Sequence, residues 1–288
     1  MAKTPAHLSL AAAVILYHPT DADLANISTY LDDVDRLFVV DNTEGENNES
    51  RLPVSDKIKY IWKNENLGVA AALNLAATLA KKEGYTWLLT NDQDTSFRAG
   101  VLPALKNHAA TVDNSLIAIV APWHKTKLKS RRPRKNPDYP HDVMTSGNLL
   151  NLAIWEKLGG FDEDLFIDGV DLEYCIRLKK FGYKIFRDNS LEIDHNLGDL
   201  FYGRVRQFVF LCTNHTPIRR YYMMRNAHYL LDRYRDFDLS YCIELCAAQK
   251  RNMIGVLLFE KNKFAKIKMY LRGYRDYKKG IKGKYHAN

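Results

Sequence analysis

Two acidic residues stand at the end of one apolar segment. Asp92-Gln93-Asp94 follows the apolar run at 86–90, which we predict to be a strand of an α/β sheet. Ligands bind beyond the carboxyl ends of the strands in open sheets of this kind. Two carboxylates separated by one residue suit a hard divalent cation that also grips a diphosphate. The alternative interpretation is a polar turn in which an Asp caps the next helix.

A second polar segment, Asn64-Glu65-Asn66-Leu67-Gly68, lies between a predicted strand and an alanine-rich helix predicted at 67–82. Gly68 allows close approach of the backbone, and the first amides of a helix favour anionic or polar ligands. An asparagine cap followed by a glycine in the first turn explains the same residues without a ligand.

Acids recur at the predicted start of a later helix. Asp168 and Asp171 are three residues apart and therefore share one helical face. The amide dipoles stabilise a carboxylate in this position as an anion, which suits a general base. The ordinary preference of helix starts for acids explains either residue taken alone.

Two further residues are candidates because of their surroundings. His195 lies in the polar, glycine-containing run Asp194-His195-Asn196-Leu197-Gly198, where a site residue fits. Arg225 lies three residues after Tyr222 on a predicted helix and has the geometry to bind phosphate bidentately. The alternative for Arg225 is the basic edge of an amphipathic core helix.

The elements that must position these residues follow an order typical of α/β proteins. Residues 8–195 read as β-α-β-β-α-β-α-β, which predicts a mostly parallel sheet. After about residue 200 the segments 219–235, 238–259 and 261–279 all have helical character. We therefore predict a catalytic domain at 1–200 and a helical C-terminal extension at 201–288.

Charge is unevenly distributed along the chain. The net charge is +8 over 288 residues, and the part from Lys250 onward holds twelve Lys and Arg against two acids. Phe264, Ile267, Leu271 and Tyr274 recur there at helical spacing among these cations. The pattern predicts a basic helix on an anionic membrane surface, and the alternative is the solvated face of a packing helix.

Taken in order, the motifs resemble glycosyltransferase family 2, a group of inverting enzymes with the Rossmann-like GT-A fold that binds nucleotide sugars. The resemblance covers roughly residues 8–230. It depends on the ordered set Val14-Ile15-Leu16-Tyr17-His18-Pro19, Val39-Val40-Asp41-Asn42, the 64–68 segment, Asp92-Gln93-Asp94, Thr145-Ser146-Gly147-Asn148, Asp171 and His195.

The resemblance implies three sets of site residues. It implies a metal site for Mn²⁺ or Mg²⁺ made by Asp92, Asp94 and His195. Asp171 would be the catalytic base, with Asp168 as its competitor because Val170 stands where many members carry an acid. The implied donor-binding residues are Tyr17, Pro19, Asp41, Asn42, Asn64, Asn66, Gly68, Asp92, Ser146, Gly147 and Arg225.

Within the family, the motifs look most like rhamnosyltransferases of bacterial surface-polysaccharide assembly. That resemblance implies transfer from dTDP-rhamnose to a saccharide acceptor, possible lipid linkage of the acceptor, and a cytoplasmic enzyme peripheral on the inner face of the cell membrane. The alternatives are a UDP-sugar donor carrying galactofuranose, N-acetylglucosamine or glucose and, in another class, a basic nucleic-acid-binding protein. We expect no nucleic-acid partner, because nothing ties the basic segments to the acidic motifs, and the sequence predicts no particular oligomeric state.

Overall fold

The computed structural model describes residues 8–125, 133, 135–195 and 200–287, with the main chain alone at Asp194 and His195. The run Asn196-Leu197-Gly198 and most of the basic segment at 124–135 therefore lie outside the described residues. The described chain forms two compact units. The first extends to Phe161 and includes Arg177 through the strand that ends at His195, and the second combines Asp162–Ile176 with residues 200–287.

The first unit contains one eight-stranded sheet. Its strands are β1 (Leu10–Leu16), β2 (Arg36–Asp41), β3 (Ile58–Trp62), β4 (Trp87–Asp92), β5 (Thr95–Ser96), β6 (Ile117–Lys125), β7 (Asn148–Asn151) and β8 (Lys184–His195). The spatial order is β3-β2-β1-β4-β7-β6-β8-β5. Strands β3, β2, β1 and β4 pair in parallel, as do β6 and β8, whereas β7 and β5 run antiparallel to their neighbours. The prediction of a mostly parallel α/β sheet is confirmed.

Helices cover this sheet through short apolar side chains. The helices that contact its strands are α1 (Asp21–Ile27), α2 (Val69–Lys82), α3 (Val101–Thr111) and α4 (Leu152–Lys157). A further helix, α5 (Val170–Lys180), begins in the second unit and ends in the first. Every residue of β1 is buried. A strand covered on both faces must be apolar along its whole length, and the residues of β1 are all apolar. Five alanines and Leu73 form the buried face of α2.

The second unit is built around two helices and a hairpin. These elements are β9 (Phe201–Val205), β10 (Phe208–Cys212), α6 (Pro217–Phe259) and α7 (Lys263–Lys278). The two strands pair antiparallel, and α7 packs along α6. Asp238 interrupts α6 with a non-helical backbone (φ −143°, ψ 64°), so two straight segments meet there. The predicted helical C-terminal extension is confirmed by α6 and α7, whereas its first residues form the β9–β10 hairpin instead of a helix. The domain boundary at 200 remains a prediction.

None of the helices in the described part of the chain is long and apolar enough to cross a membrane. The apolar start of the sequence forms β1 instead. All four cysteines are free and buried.

Candidate active site

The loop after β1 is joined to the acidic motif at the end of β4. The amide of Tyr17 donates to Oε1 of Gln93 at 2.7 Å, and the side chain of Tyr17 is 48% exposed. The amide of His18 donates to Oγ1 of Thr43 at 2.8 Å, and the carbonyl of buried Pro19 accepts from Arg51. The predicted donor residues Tyr17 and Pro19 therefore lie on a loop fixed to two neighbouring strand ends.

Asp41 ends β2 with its carboxylate almost completely buried, at 2% exposure. Oδ1 accepts from the amide of Thr43 at 2.9 Å, and Oδ2 accepts from Nδ2 of Asn48 at 2.9 Å and from the hydroxyl of Tyr60 at 2.7 Å. Burial, reinforced by the bond to Asp41, raises the pKa of Tyr60, so this phenol remains a donor. Three donors thus compensate the burial of the Asp41 charge; its contact with the nucleoside remains a prediction.

Asparagine side chains shape the segment that leads into α2. Asn42 donates from Nδ2 to the carbonyl of Gly68 at 3.2 Å and accepts from the amide of Leu67 at 3.3 Å. Asn66 accepts from the amide of Gly68 at 2.9 Å, and Asn64 accepts from the amide of Gly45 at 2.6 Å. Gly68 has φ +81°, a conformation that side chains disfavour. These residues hold the loop, and their donor contacts remain predictions.

Ser146 and Gly147 are hydrogen-bonded to β4, the strand that ends at Asp92. The hydroxyl of Ser146, which is fully buried, accepts from the amide of Asp92 at 2.9 Å and lies 2.5 Å from Oγ1 of Thr95. The amide of Gly147 donates to the carbonyl of Thr90 and to Oδ1 of Asn91. A Cβ on Gly147 would lie 2.2 Å from Cδ1 of Ile193, so any residue larger than glycine would have to displace the side chain of Ile193.

The acidic pair itself is partly exposed, in contrast to Asp41. Asp92 is the last residue of β4, and Asp94 immediately precedes β5. In the β5–β8 pair, Thr95 is the register partner of His195, so the main chain of His195 lies beside the residue that follows Asp94. Among the side chains that the structure describes, no group of three His, Cys, Asp or Glu forms a metal cluster; the side chain of His195 lies outside that set.

The two competing bases in the second unit have different surroundings. Asp168 has a left-handed backbone (φ +61°), and its carboxylate forms a two-bond ion pair with the guanidinium of Arg219. Asp171 is the second residue of α5 and is half-buried, and its Oδ1 accepts from the amide of Leu172 at 2.9 Å. The carboxylate of Asp168 is thus engaged by Arg219, and the role of Asp171 as the base remains a prediction.

A neutral imidazole lies close to this ion pair. Burial, together with the charge of Arg219, lowers the pKa of His215 to about 4. His215 is therefore uncharged near neutral pH and adds no positive charge beside Asp168.

Arg225 is completely buried and is surrounded by main-chain carbonyls and aromatic rings. Its guanidinium donates to the carbonyls of Gly283, Asp164 and Leu165 at 2.7–3.1 Å. It also lies over the rings of Tyr221 and Tyr222 at 5.4 and 5.0 Å. The structure gives Arg225 the function of holding the loop before α5, and the predicted contact with the diphosphate remains a prediction.

Asn226 was not predicted as a site residue, yet it fixes the same loop. Its Nδ2 donates to the carbonyls of Leu165 at 3.0 Å, Ile167 at 2.8 Å and Asp168 at 2.6 Å. Asn226 is 1% exposed, and these carbonyls belong to the turn that leads directly into Asp171. The signal in the sequence was its place after Arg225 in a predicted core helix, where a buried amide needs partners.

Replacing Asn226 with Ala is expected to lower kcat by about 10²-fold, the usual loss when a catalytic group is misplaced by about 1 Å. The loss follows because three carbonyls of the turn before Asp171 lose their common donor. Steady-state kinetics and a separate measurement of donor Kd test the prediction, with donor Kd expected to stay nearly unchanged.

Tyr229→Phe is the matched control for Asn226→Ala, because it removes the α6 bond from the hydroxyl of Tyr229 to the carbonyl of Ile281 and leaves the turn intact. We expect kcat of this variant to remain close to that of the wild type. Equal losses in both variants would mean that Asn226 acts only through stability.

Comparison with known proteins places these motifs in a family. The model of "Glycosyl transferase family 2" matches residues 23–181, more than half of the chain. The dTDP-rhamnosyl transferase RfbF of Shigella flexneri is 26% identical over 94% of this chain and 96% of that protein. The uncharacterized protein Rv1525 of Mycobacterium tuberculosis is 27% identical over 46% of this chain and 54% of its own length.

Two solved structures share the fold. GalNAc-T7, solved with UDP, GalNAc and Mn²⁺, has a TM-score of 0.58 at 12% identity, covering 95% of this chain and 56% of that one. Residues 1–349 of TarS from S. aureus give a TM-score of 0.52 at 13% identity, covering 97% of this chain and 93% of that one. The predicted GT-A architecture is therefore confirmed.

Proposed function

Since this chain belongs to glycosyl transferase family 2 and is a glycosyltransferase, we propose that it transfers rhamnose from dTDP-rhamnose to a saccharide acceptor with inversion. We choose this donor because the chain is similar to a dTDP-rhamnosyl transferase along almost the whole length of both proteins. A family 2 enzyme needs a nucleotide-sugar donor and a saccharide acceptor, and the donor is what the experiment below tests.

We assign the proton transfer to Asp171. Its position in the first turn of α5 places the carboxylate near the helix N-terminus, where main-chain amides stabilise an anion. The carboxylate would take the proton from the acceptor hydroxyl as that oxygen attacks the anomeric carbon and the bond to the nucleoside diphosphate breaks. A single displacement of this kind inverts the anomeric centre.

Asp92, Asp94 and His195 would hold Mn²⁺ or Mg²⁺. These residues suit a divalent cation because of their chemistry. Asp92 and Asp94 supply two partly exposed carboxylates near a strand end, and the main chain of His195 pairs with Thr95, the residue after Asp94. A mixture of imidazole and carboxylate leans towards Mn²⁺. The bound ion would stabilise the negative charge on the departing diphosphate.

The remaining predicted residues would contact the donor. Tyr17 and Pro19, with Asp41 and the 64–68 segment, are held at neighbouring strand ends, where α/β sheets bind nucleotides. Ser146 and Gly147 would contact the sugar beside Asp92. The hydroxyl of Ser146 accepts from the amide of Asp92, and the amide of Gly147 donates to Oδ1 of Asn91.

We further propose a lipid-linked acceptor and a peripheral location on the inner face of the cell membrane. The support is α7, where Phe264 and Leu271 are 89% and 62% exposed among exposed cations such as Lys268 and Arg275. Lys266 is not one of these cations, because it is buried in an ion pair with Glu260.

The donor assignment predicts a metal-dependent stabilisation by dTDP or dTDP-rhamnose. A ligand at 100 times its Kd stabilises the fold by about 2.7 kcal/mol, which should raise Tm by several degrees. Thermal unfolding is measured with dTDP, dTDP-rhamnose, UDP and UDP-sugars, with and without Mn²⁺. Asp94→Ala is expected to abolish the shift, because it removes a proposed metal ligand.

The matched control is Asp32→Ala, which removes an exposed acid of the same unit and should preserve the shift. A shift with UDP ligands alone would overturn the choice of dTDP-rhamnose. The absence of a shift with every nucleotide would contradict the donor site itself.

A further inference from the structure

Large apolar side chains are exposed where the β9–β10 hairpin meets the end of α6 and the start of α7. The most exposed are Phe264, at 89%, and Phe208, at 60%. Clusters of exposed apolar side chains, unlike singly scattered ones, mark interaction surfaces. We name this set the apolar corner; its members are Phe201, Tyr202, Val205, Phe208, Val209, Leu257, Leu258 and Phe264.

Packing beneath the apolar corner holds the hairpin on α6. Gly203 in β9 lies so close to Phe259 that a Cβ on it would be 2.3 Å from the ring. Phe210, the register partner of Gly203, has its ring centroid 6.0 Å from that of Phe259. Gly203 and Phe210 thus pack the hairpin against Phe259 of α6, whereas Val205 and Phe208 near the turn are exposed to solvent.

Hydrogen bonds join the segment that directly follows β10 to the end of α6 and the start of α7. The amides of Thr213 and Asn214 both donate to Glu260 at 3.1 Å. Lys266 of α7 donates to Oδ1 of Asn214 at 2.7 Å and to Glu260 at 2.9 Å. The hairpin, the end of α6 and the start of α7 therefore form one packed surface.

The charge around the apolar corner has one sign. Segments 200–216 and 254–268 hold six Lys and Arg and one acid, Glu260, which is buried in ion pairs with Arg220 and Lys266. The exposed charges of these two segments are therefore all positive, and they include Arg204, Arg206, Lys261 and Lys268. Aromatic and aliphatic side chains rimmed by cations match the boundary between anionic headgroups and acyl chains.

We propose that the apolar corner is the surface with which the protein docks on an anionic lipid membrane. A second copy of the chain would bring the same cations face to face, at an electrostatic cost, whereas anionic headgroups would be attracted to them. Tyr202 has an apolar ring with a polar hydroxyl, the kind of side chain that accumulates at membrane interfaces, and Phe208 adds an apolar ring for the acyl boundary. The assignment rests on the proposed peripheral location and names the side chains responsible for it.

Vesicle flotation tests the assignment with phosphatidylcholine vesicles and with equal mixtures of phosphatidylcholine and phosphatidylglycerol. The wild-type protein should float only with the anionic vesicles, and high salt should release it. The double variant Phe208→Ser/Phe264→Ser is expected to lose at least about tenfold in partition coefficient, because two apolar side chains leave the acyl boundary. Arg204→Gln and Lys261→Gln should each lose about fivefold at low salt.

The matched control is Phe181→Ser, which removes an exposed phenylalanine from the first unit and should not change partition. Failure of the wild type to float, or wild-type binding by the corner variants, would overturn the proposal. So would a concentration-dependent dimer, seen by light scattering, that the double variant abolishes without any vesicle binding. Glycosyl transfer to a soluble acceptor is measured in parallel, so failure of docking is distinguishable from failure of the proposed activity.

Discussion

Asp171→Asn is expected to lower kcat by about 10²–10⁴-fold, the contribution of a positioned general base, and to leave donor Kd nearly unchanged. The amide that replaces the carboxylate retains its shape and the first turn of α5, but it cannot accept a proton from the acceptor hydroxyl. Donor affinity should survive, because the residues proposed to bind the nucleotide belong to other segments of the chain. Single-turnover rates, with donor Kd from calorimetry, separate the two effects.

Asp168→Asn is the matched comparison for Asp171→Asn. It removes the charge that pairs with Arg219 and should disturb the turn before α5, so we expect a smaller loss of kcat accompanied by a lower Tm. Near-normal turnover in Asp171→Asn would contradict the assignment of the base. If Asp168→Asn then abolished transfer while retaining the wild-type Tm, Asp168 would be the base.

Buried strands and the small-residue helix were predictable from local sequence. The strand predicted at 86–90 is β4, which spans Trp87–Asp92, and the helix predicted at 67–82 is α2, which begins at Val69. These segments are continuous apolar runs or alanine-rich stretches, so propensity and burial favour the same conformation. Gly84, with φ +90°, follows the end of α2 as a glycine after the last turn should.

Pairing between distant strands was not predictable in the same way. The sequence did not reveal that β7 inserts antiparallel between β4 and β6, because register depends on partners about 60 and 30 residues away. The hairpin of β9 and β10 was missed as well. Its exposed apolar side chains, such as Val205 and Phe208, do not produce the alternation that identifies a half-buried strand.

In the site too, the types of the candidate residues were predictable from the sequence, whereas their hydrogen-bond partners were not. Motif order made Asp41, Asp92 and Asp171 candidates because they lie at strand ends and a helix start, and their roles remain predictions. The side-chain hydrogen bonds that the Asp41 carboxylate accepts and those that Asn226 donates to three carbonyls are tertiary contacts. They join residues that are not neighbours in the sequence. A buried Arg such as Arg225 cannot be distinguished from a ligand-binding Arg until its partners are known.

Glu260→Gln is expected to reduce the free energy of unfolding by about 3–5 kcal/mol, the usual cost of breaking a buried ion pair by removing one partner. The side chain of Glu260 is 1% exposed and lies 2.7 Å from Arg220 and 2.9 Å from Lys266, which are themselves 1% and 3% exposed. The neutral amide would leave two buried cations with no compensating charge. Calorimetry should show Tm lower by roughly 10 °C at this chain size.

Two further variants test whether the loss of stability in Glu260→Gln comes from the lost charge: one in an exposed ion pair and one that combines Glu260→Gln with a second substitution. Glu244→Gln breaks the exposed pair with Arg251 and should cost no more than about 1 kcal/mol. Adding Lys266→Met to Glu260→Gln should restore part of the lost stability, because one of the two uncompensated charges is removed. A double variant less stable than Glu260→Gln by the full cost of Lys266→Met alone would contradict the coupling.

Acidification should affect the wild type more than Glu260→Gln. Burial alone would raise the pKa of Glu260, but the bond from Lys266 and the charge of Arg220 lower it below 4.5 overall. A carboxylate whose folded pKa is depressed contributes stability above its unfolded pKa, and this contribution is lost as pH falls through the folded value. The difference in Tm between wild type and Glu260→Gln should therefore be largest near neutral pH and shrink below about pH 4.5. A constant difference across that range would mean that the carboxylate acts through its shape, and that the two buried cations are compensated by other groups.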